Sequence, residues 1–159
     1  MGALRETLGG LGYENVRTLL QSGNIVLGSR ASAERVAGRL SQEISTSAGF
    51  EVQVVVRSRD ELAEIVARDP FGDIAEDPRR YQVIFLSGEP DPEAIARAAA
   101  ADLAPERFVH IEREIYTWHP EGIQRSKMAR LLADDKLGVT GTARNWNTVL
   151  KLLEMAGEE

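Results

Sequence analysis

The chain of 159 residues contains no cysteine, which excludes disulfides, thiolate catalysis and cysteine-bound zinc. It has two histidines, His110 and His119, and no ligand spacing of the His-Glu-x-x-His kind, so we expect no metal site and no cofactor. No apolar run approaches the roughly 18 residues that cross a bilayer. The opening Leu4-Arg5-Glu6-Thr7-Leu8 lacks the features of a signal peptide. We therefore expect a cytoplasmic protein without a membrane partner.

The chain also has few basic residues for a nucleic-acid-binding protein, with 19 lysines and arginines against 25 acidic residues. The formal net charge is −6, which argues against wholesale binding to a phosphate backbone. The charge is uneven, because residues 104–151 carry a slight basic excess whereas the remainder of the chain is acidic. An ordinary mixed surface is as good an explanation of that excess as a binding site.

Hydrophobic periodicity and turn signals predict alternating helices and strands. The predicted helices cover 3–12, 32–48 with Ser32 as N-cap, Asp60 to Pro70, a segment starting at Asp91-Pro92, 122–135 followed by Gly138 as C-cap, and an amphipathic run from Val149 to Met155. The predicted strands are Val16 to Gln21, Asn24 to Leu27, Val52 to Arg57, a central strand Tyr81 to Leu86, Phe108 to Glu112 and Ile115 to His119.

Both halves of the chain contain helix, hairpin and helix in the same order, and only the second half has a strand in front. This order predicts an α+β fold of two ferredoxin-like halves, residues 1–70 and 80–159, packed as one compact unit. The first half lacks its N-terminal strand, which would lie centrally in its sheet. We expect either that about 20 residues precede Met1 or that another segment or subunit fills the gap, since unpaired backbone groups are rarely tolerated. A homodimer is one hypothesis.

Three polar motifs stand apart from this core-building pattern. They are Gln21-Ser22-Gly23-Asn24, Gly122-Ile123-Gln124-Arg125-Ser126-Lys127 and Thr142-Ala143-Arg144-Asn145-Trp146-Asn147-Thr148. The order and sequence of these motifs resemble the bacterial proteins of domain-of-unknown-function family 1697. The resemblance also rests on Arg17-Thr18-Leu19-Leu20 before the first motif, Ile25-Val26 after it, and Tyr116-Thr117-Trp118-His119-Pro120-Glu121 before the second.

The resemblance implies two ferredoxin-like halves and no established activity. Members of the family usually begin with a strand that carries an Arg-Gly-Ile-Asn-type motif followed by glycines, and this sequence lacks it. If that motif contributes to the family's site, the chain carries an incomplete site.

The second and third motifs are typical of anion binding. A glycine turn before a helix start, with Arg125 and Lys127 beside it, offers free amide groups and positive charge, although it is not a P-loop. Arg144, Asn145 and Asn147 offer a guanidinium fork and two amides for a phosphate, carboxylate or base. The alternatives are an ordinary capped helix in each case, with Trp146 in the core.

The first hypothesis is therefore a binding module for an anionic ligand, such as a nucleotide or short nucleic acid. The predicted ligand-binding residues are Gln21, Asn24, Arg125, Ser126, Lys127, Arg144, Asn145 and Asn147. Gln21 and Asn24 have an alternative explanation as parts of a hairpin turn.

Two other hypotheses remain open. One is an enzyme that uses the same pocket, with His119 or Tyr116 in proton transfer, although no nucleophile stands out. The other is a structural or interaction protein without a small ligand, in which the polar motifs only cap and brace the halves. Nucleic-acid stacking on Tyr116 and Trp118 has weak support, since the RNA-recognition signature is absent.

Overall fold

The computed structural model describes residue 6 and residues 8–19, 23–124 and 126–157. The fold is α+β, with helices and two antiparallel sheets. The chain divides into two compact units, Met1–Ala63 with Lys151–Glu159 and Glu64–Leu150.

The first unit contains the predicted hairpin. Strand β1, Glu14–Leu19, pairs antiparallel with β2, Asn24–Gly28, with a register shift between Glu14 and Arg17. The hairpin prediction is confirmed, while residues 20–22 of its turn lie outside the described residues.

The helix predicted over 32–48 is also confirmed. Helix α1, Ala33–Ala48, begins after Ser32, whose side chain accepts a hydrogen bond from the Arg35 amide. It ends at Gly49, where φ is 80°, a left-handed conformation that glycine adopts without a Cβ penalty. Val36 and Leu40 face a core that includes Leu8 and Tyr13. The spacing of the apolar positions thus places one helix face on the hairpin core.

The strand predicted from Val52 to Arg57 is wrong. Residues 51–58 form neither helix nor strand, and among the described residues no strand pairs with them. Val54 and Val56 nevertheless pack against the core of the first unit, as two residues on one side of a strand would. A β-branched pattern favours strand geometry, but a ladder also needs a neighbouring strand to accept its hydrogen bonds.

The second unit is built on a four-stranded sheet. Its strands are β3 at Tyr81–Leu86, β4 at Arg107–Ile111, β5 at Glu114–Trp118 and β6 at Gly141–Asn145, in the spatial order β4-β5-β3-β6. All neighbours are antiparallel. Strand β3 is central, as its nearly continuous apolar sequence predicts. Strand β6 was not predicted, because its residues are polar and small.

Further helices are α2 at Arg59–Arg68, α3 at Pro92–Ala100, α4 at Lys127–Leu131, α5 at Asp134–Leu137 and α6 at Trp146–Ala156. Asp91 caps α3 by accepting a hydrogen bond from the Glu93 amide. None of the helices in the described part of the chain is long and apolar enough to cross a membrane.

The single helix predicted over 122–135 is wrong. The chain forms α4 and α5 instead, separated by Leu132 and Ala133. Leu132 and Leu137 are both buried in the core of this unit. In one straight helix, residues five apart would point about 140° away from each other. The break therefore lets both leucines reach the same core, and Gly138 ends α5 in the left-handed conformation expected of a C-cap.

Candidate functional site

Polar and charged side chains collect at one end of the four-stranded sheet, which we call the loop end. The sheet register defines it, because Tyr81 lies opposite Trp118, Trp118 opposite Arg107, and Gln82 opposite Asn145. Backbone hydrogen bonds hold its loops together, from the His119 amide to the Arg80 carbonyl and from the Trp146 amide to the Pro78 carbonyl. The second and third polar motifs both reach this end of the sheet.

A buried hydrogen-bonded cluster around Glu106 occupies the loop end. One Glu106 carboxylate oxygen, Oε2, lies 2.7 Å from Nδ1 of His119 and accepts a hydrogen bond of 2.6 Å from the Ser126 hydroxyl. The other oxygen accepts a long hydrogen bond of 3.5 Å from the Met128 amide in α4. Nε2 of His119 lies 2.9 Å from the Thr117 hydroxyl. The Glu106 carboxylate thus joins its own segment to two others, the one after β5 and the start of α4.

Burial and hydrogen bonding act on Glu106 in opposite directions. Partial burial alone would raise the pKa of its carboxyl group, because desolvation disfavours the charged form. The hydrogen bonds from Ser126 and His119 outweigh that effect and lower the pKa below its ordinary value. Glu106 is therefore ionised at neutral pH and is the anion held at the start of α4.

Ser126 has a structural role in this cluster. Its hydroxyl oxygen accepts a hydrogen bond of 3.0 Å from the Ala129 amide, which caps α4, while the hydroxyl donates to Glu106. The side chain is 6% exposed. The Glu106 carboxylate also accepts the long hydrogen bond from the Met128 amide, so a carboxylate of the protein lies at this helix start.

The third motif forms the end of β6 and the start of α6. The Asn145 side chain accepts a hydrogen bond of 2.9 Å from the Thr148 amide and so caps α6. Trp146 stacks on Tyr81 with ring centroids 4.4 Å apart and an interplanar angle of 5°. Asn147 is exposed on the first turn of α6. Within this motif, Asn145 and Trp146 therefore have structural roles, and Asn147 faces solvent.

Arg144 lies on β6 opposite Val83 of the central strand. Its Nη1 donates hydrogen bonds to the Thr142 hydroxyl at 2.6 Å and to the Ala143 carbonyl at 2.8 Å. Val83 is fully buried, so this face of the sheet is covered. Burial lowers the pKa of the Arg144 guanidinium, which nevertheless stays charged at neutral pH because its ordinary value is so high.

Other basic residues surround these motifs at the loop end. Arg79 and Arg80 precede β3 and contact Asp77 at 3.1 Å and 3.8 Å. Arg107 begins β4, with its guanidinium carbon 5.6 Å from the centre of the Phe71 ring. Lys127 is exposed at the start of α4, and no ion pair within the described residues involves it. The loop end therefore gathers positive charge from four separate segments.

The remaining predicted ligand residues belong elsewhere. Asn24 lies in the first unit, is 6% exposed and donates a hydrogen bond of 3.1 Å to the Leu19 carbonyl, which closes the hairpin. Gln21 and Arg125 lie outside the described residues.

Comparison with known proteins places the chain in a family. The model of the family described as "Protein of unknown function (DUF1697)" matches residues 1–116. The chain belongs to this family. No curated protein matches the chain.

The conserved bacterial protein SP0830 from Streptococcus pneumoniae is similar to this DUF1697 protein in structure. The two share 22% sequence identity with a TM-score of 0.78, over 98% of this chain and 88% of that one. At this identity the likeness concerns the fold alone. The family that the sequence resembles is confirmed by the match of the family model over residues 1–116.

The two residues considered for proton transfer in this DUF1697 protein are deeply buried. His119 is 2% exposed and both of its ring nitrogens have hydrogen-bonding partners. Tyr116 is fully buried, and its hydroxyl donates a hydrogen bond of 2.6 Å to the Ile65 carbonyl. Burial raises the pKa of this hydroxyl to about 12. In this arrangement neither side chain is placed to exchange a proton with a bound molecule.

Potential metal ligands do not cluster in the described residues. No group of three or more histidine, aspartate or glutamate side chains there could hold an ion. The carboxylate of Glu106, with His119 beside it, is satisfied by protein donors.

Glu106 and the arginines around it were missed in the sequence. Glu106 follows Ala104-Pro105 in an irregular segment, and no motif marks it. Its contacts with Ser126 and His119 are 20 and 13 residues distant along the chain. No local pattern in the sequence marks these long-range contacts.

Proposed function

We propose that this protein binds an anionic, phosphate-bearing ligand, such as a nucleotide or a short nucleic acid, at the loop end of its second unit. The observation that carries the proposal is the convergence there of basic residues from four segments. They are Arg79 and Arg80 before β3, Arg107 at the start of β4, Lys127 at the start of α4, and Arg144 near the end of β6. Phosphate groups are recognised by such convergent cations and amides.

The residues at the loop end divide into a frame and a contact surface. Ser126 and Asn145 use their side chains to cap α4 and α6, and Glu106 ties the loops together. Lys127 and Asn147 are exposed and would meet the ligand. Arg144 would contribute charge from the edge of the covered face, while Arg125 remains a predicted contact.

The geometry supports binding more than catalysis. Both nitrogens of His119 and the hydroxyl of Tyr116 are engaged within the fold. The exposed cations of the loop end and the exposed amide of Asn147 can bind an anion and do not transfer protons at neutral pH.

We also infer that the second unit is a ferredoxin-like half. The order strand, helix, strand, strand, helices, strand along the chain and the spatial order β4-β5-β3-β6 support this assignment. In that arrangement the strands β3 and β4 begin at the same end of the sheet where β5 and β6 finish, so one end collects all the loops that carry the basic residues.

The test is a calorimetric titration of ATP and of a short oligothymidylate into the parent, Lys127→Ala and Lys136→Ala. Lys136 is an exposed lysine of α5, whose neighbour Asp134 accepts a hydrogen bond from Gly141 at the opposite end of β6. Both variants lose one positive charge. We expect Lys127→Ala to weaken binding by about three- to tenfold, as for a lost charged contact, and Lys136→Ala to leave it unchanged. Equal effects of the two substitutions, or no binding by the parent, would contradict the proposal.

A further inference from the structure

An open cavity lies in the second unit at the end of the four-stranded sheet opposite the loop end, since β3 begins at the loop end and runs toward it. Its walls are residues 89–92 after β3, Ile95 of α3, His110 of β4, and Leu137 and Gly138 at the end of α5. We call this cavity the acceptor groove. Its volume is about 640 Å³, within the range of roughly 300–1,000 Å³ in which proteins hold small organic molecules. The acceptor groove is therefore large enough for such a ligand.

The walls of the acceptor groove are mostly apolar and are set by the fold of the second unit. Leu137 belongs to the buried core, and Ile95 packs against that core. The Asp91 amide donates a hydrogen bond of 2.9 Å to the Leu137 carbonyl, which joins the loop before α3 to the end of α5. Pro90 and Pro92 restrict the backbone of this loop, because proline fixes φ. Buried and hydrogen-bonded residues thus determine the shape of the groove.

The backbone that lines the acceptor groove has few hydrogen-bond donors to offer a ligand. The two prolines have no amide hydrogen. Four other lining residues already donate their amides to carbonyls of the second unit, namely Asp91, Ile95, Leu137 and Gly138. At the start of α3, the Glu93 amide donates to the Asp91 side chain at 3.0 Å. The groove therefore lacks the free amides with which a helix start binds an anion.

The polar side chains of the acceptor groove are acceptors instead. Nε2 of His110 lies 2.6 Å from the Glu112 carbonyl and carries a proton, because a carbonyl oxygen only accepts. In the neutral ring Nδ1 is then an acceptor, and it has no hydrogen-bonding partner among the described residues. Glu89 and Asp91 add two carboxylates, and neither forms an ion pair within the part of the chain that the structure describes.

Fixed positive charge lies outside the acceptor groove. Arg97 of α3 and Lys136 of α5 line a separate cleft of about 120 Å³. Among the described residues that line the groove, none is a lysine or an arginine. The carboxylates of the groove therefore have no fixed cation beside them in its walls, and they attract a cationic group from solution.

We propose that the acceptor groove binds a small organic cation, in which a primary ammonium group is attached to an apolar body. The ammonium group donates hydrogen bonds to the carboxylates of Glu89 and Asp91, with Nδ1 of His110 as a further acceptor. The apolar body lies against Pro92 and Ile95. An ammonium group has three donors and no acceptor, so it matches a site that has acceptors and lacks free donors. This site differs from the proposed anion site in its place on the sheet and in the charge of its ligand.

The first experiment titrates three probes into the full chain and follows binding by nuclear magnetic resonance. 4-Phenylbutylamine has both the ammonium group and the apolar body, 4-phenylbutyrate has the same body with a negative charge, and butylamine has the ammonium group without the ring. We expect 4-phenylbutylamine to bind with a dissociation constant of about 1 mM or less, and the other two to bind about tenfold more weakly or worse. No binding of 4-phenylbutylamine, or equal binding of either other probe, would overturn the proposal.

The two histidines of the chain report where the amine binds. The ring-proton signals of His110 should shift as 4-phenylbutylamine is added. Those of His119 should stay in place, because this ring is buried in the Glu106 cluster at the loop end. Shifts of the His119 signals alone, or of neither ring, would overturn the proposal. Titrations of phosphate compounds at the loop end test the other site, because they concern different residues and ligands of the opposite charge.

The second experiment compares two double variants that lose the same charge. Glu89→Gln with Asp91→Asn removes both carboxylates of the groove and keeps the cap of α3, because asparagine caps a helix as well as aspartate does. This variant should bind 4-phenylbutylamine about tenfold more weakly or worse.

The matched control is Glu93→Gln with Asp135→Asn. Both residues are exposed, on α3 and α5, and neither lines the acceptor groove. The control should bind the amine as the parent does, and melting temperatures show that both double variants are folded. Equal losses of affinity in the two variants, or no loss in the first, would overturn the proposal.

Discussion

Glu106 shows how a single side chain can fix the architecture of a loop region. Its carboxylate joins the segment before β4 to Ser126 at the start of α4 and to His119 after β5. The donors around it lower its pKa against the opposing effect of burial. A carboxylate with a lowered pKa stabilises the folded state only while it is ionised, so this contribution depends on pH.

Glu106→Gln should reduce the free energy of unfolding by about 1–3 kcal/mol at pH 7, because the amide cannot replace a charged acceptor for both Ser126 and His119. The pKa of Glu106 in the folded protein lies below the ordinary value of 4.5. The difference in free energy of unfolding between the parent and the variant is therefore complete above pH 4.5, and it is lost as the pH falls through the folded pKa. Urea unfolding at a series of pH values measures the difference.

Glu121→Gln is the control for this prediction. Glu121 is exposed in the same loop region, so its neutralisation should leave stability nearly unchanged across the pH range. A Glu106→Gln effect of constant size at all pH values, or none at pH 7, would contradict the role assigned to the carboxylate.

At the scale of elements, local sequence patterns predicted best those helices whose caps and apolar spacing lie within the helix itself. The N-cap Ser32, the C-cap Gly49 and the apolar spacing between them specified α1, and Asp91 with Pro92 specified the start of α3. Residues 51–58 are rich in strand-forming residues, but a β-ladder depends on a partner strand that local sequence does not supply. Strand β6 is the opposite case. Its polar residues do not favour a strand, and it forms because it pairs with β3.

The candidate site was predictable only in part for a related reason. The polar motifs at Ser126 and Asn145 could be recognised, and each proved to contain a helix cap. Ser126 donates to Glu106, which is distant along the chain, whereas Asn145 accepts from the nearby amide of Thr148. Only the local one could be anticipated. The arginines at the loop end are brought together by sheet register, which no single motif encodes.

The break between α4 and α5 leads to a prediction about Gly138, whose φ of 74° ends α5. Gly138→Ala should destabilise the protein by about 1 kcal/mol, because a Cβ disfavours the left-handed conformation. Gly88→Ala is the matched control, since an added Cβ there would meet only Val139 Cγ1 at an ordinary 3.8 Å. Thermal unfolding compares the two, and equal losses would contradict the assignment of Gly138 as a required cap.

At the scale of the whole molecule, membership of the DUF1697 family gives a fold without an activity. The overall charge of −6 does not suggest an anion-binding protein. The proposed anion binding rests instead on the loop end of the second unit, where basic residues from four segments of the chain lie at the same end of the sheet. Local charge and geometry, rather than composition, support the proposed anion binding, and a ligand screen tests it.

The most direct measurement is a thermal-shift screen of inorganic pyrophosphate, ATP and a short oligothymidylate on the parent and on Arg144→Ala. Arg144 is the predicted contact that β6 holds at the loop end. We expect at least one of these compounds to raise the melting temperature of the parent, as a ligand of the native state does. The variant should stay folded and lose about 1–3 kcal/mol of binding. No shift in the parent, or the same shift in both proteins, would contradict anion binding at this site.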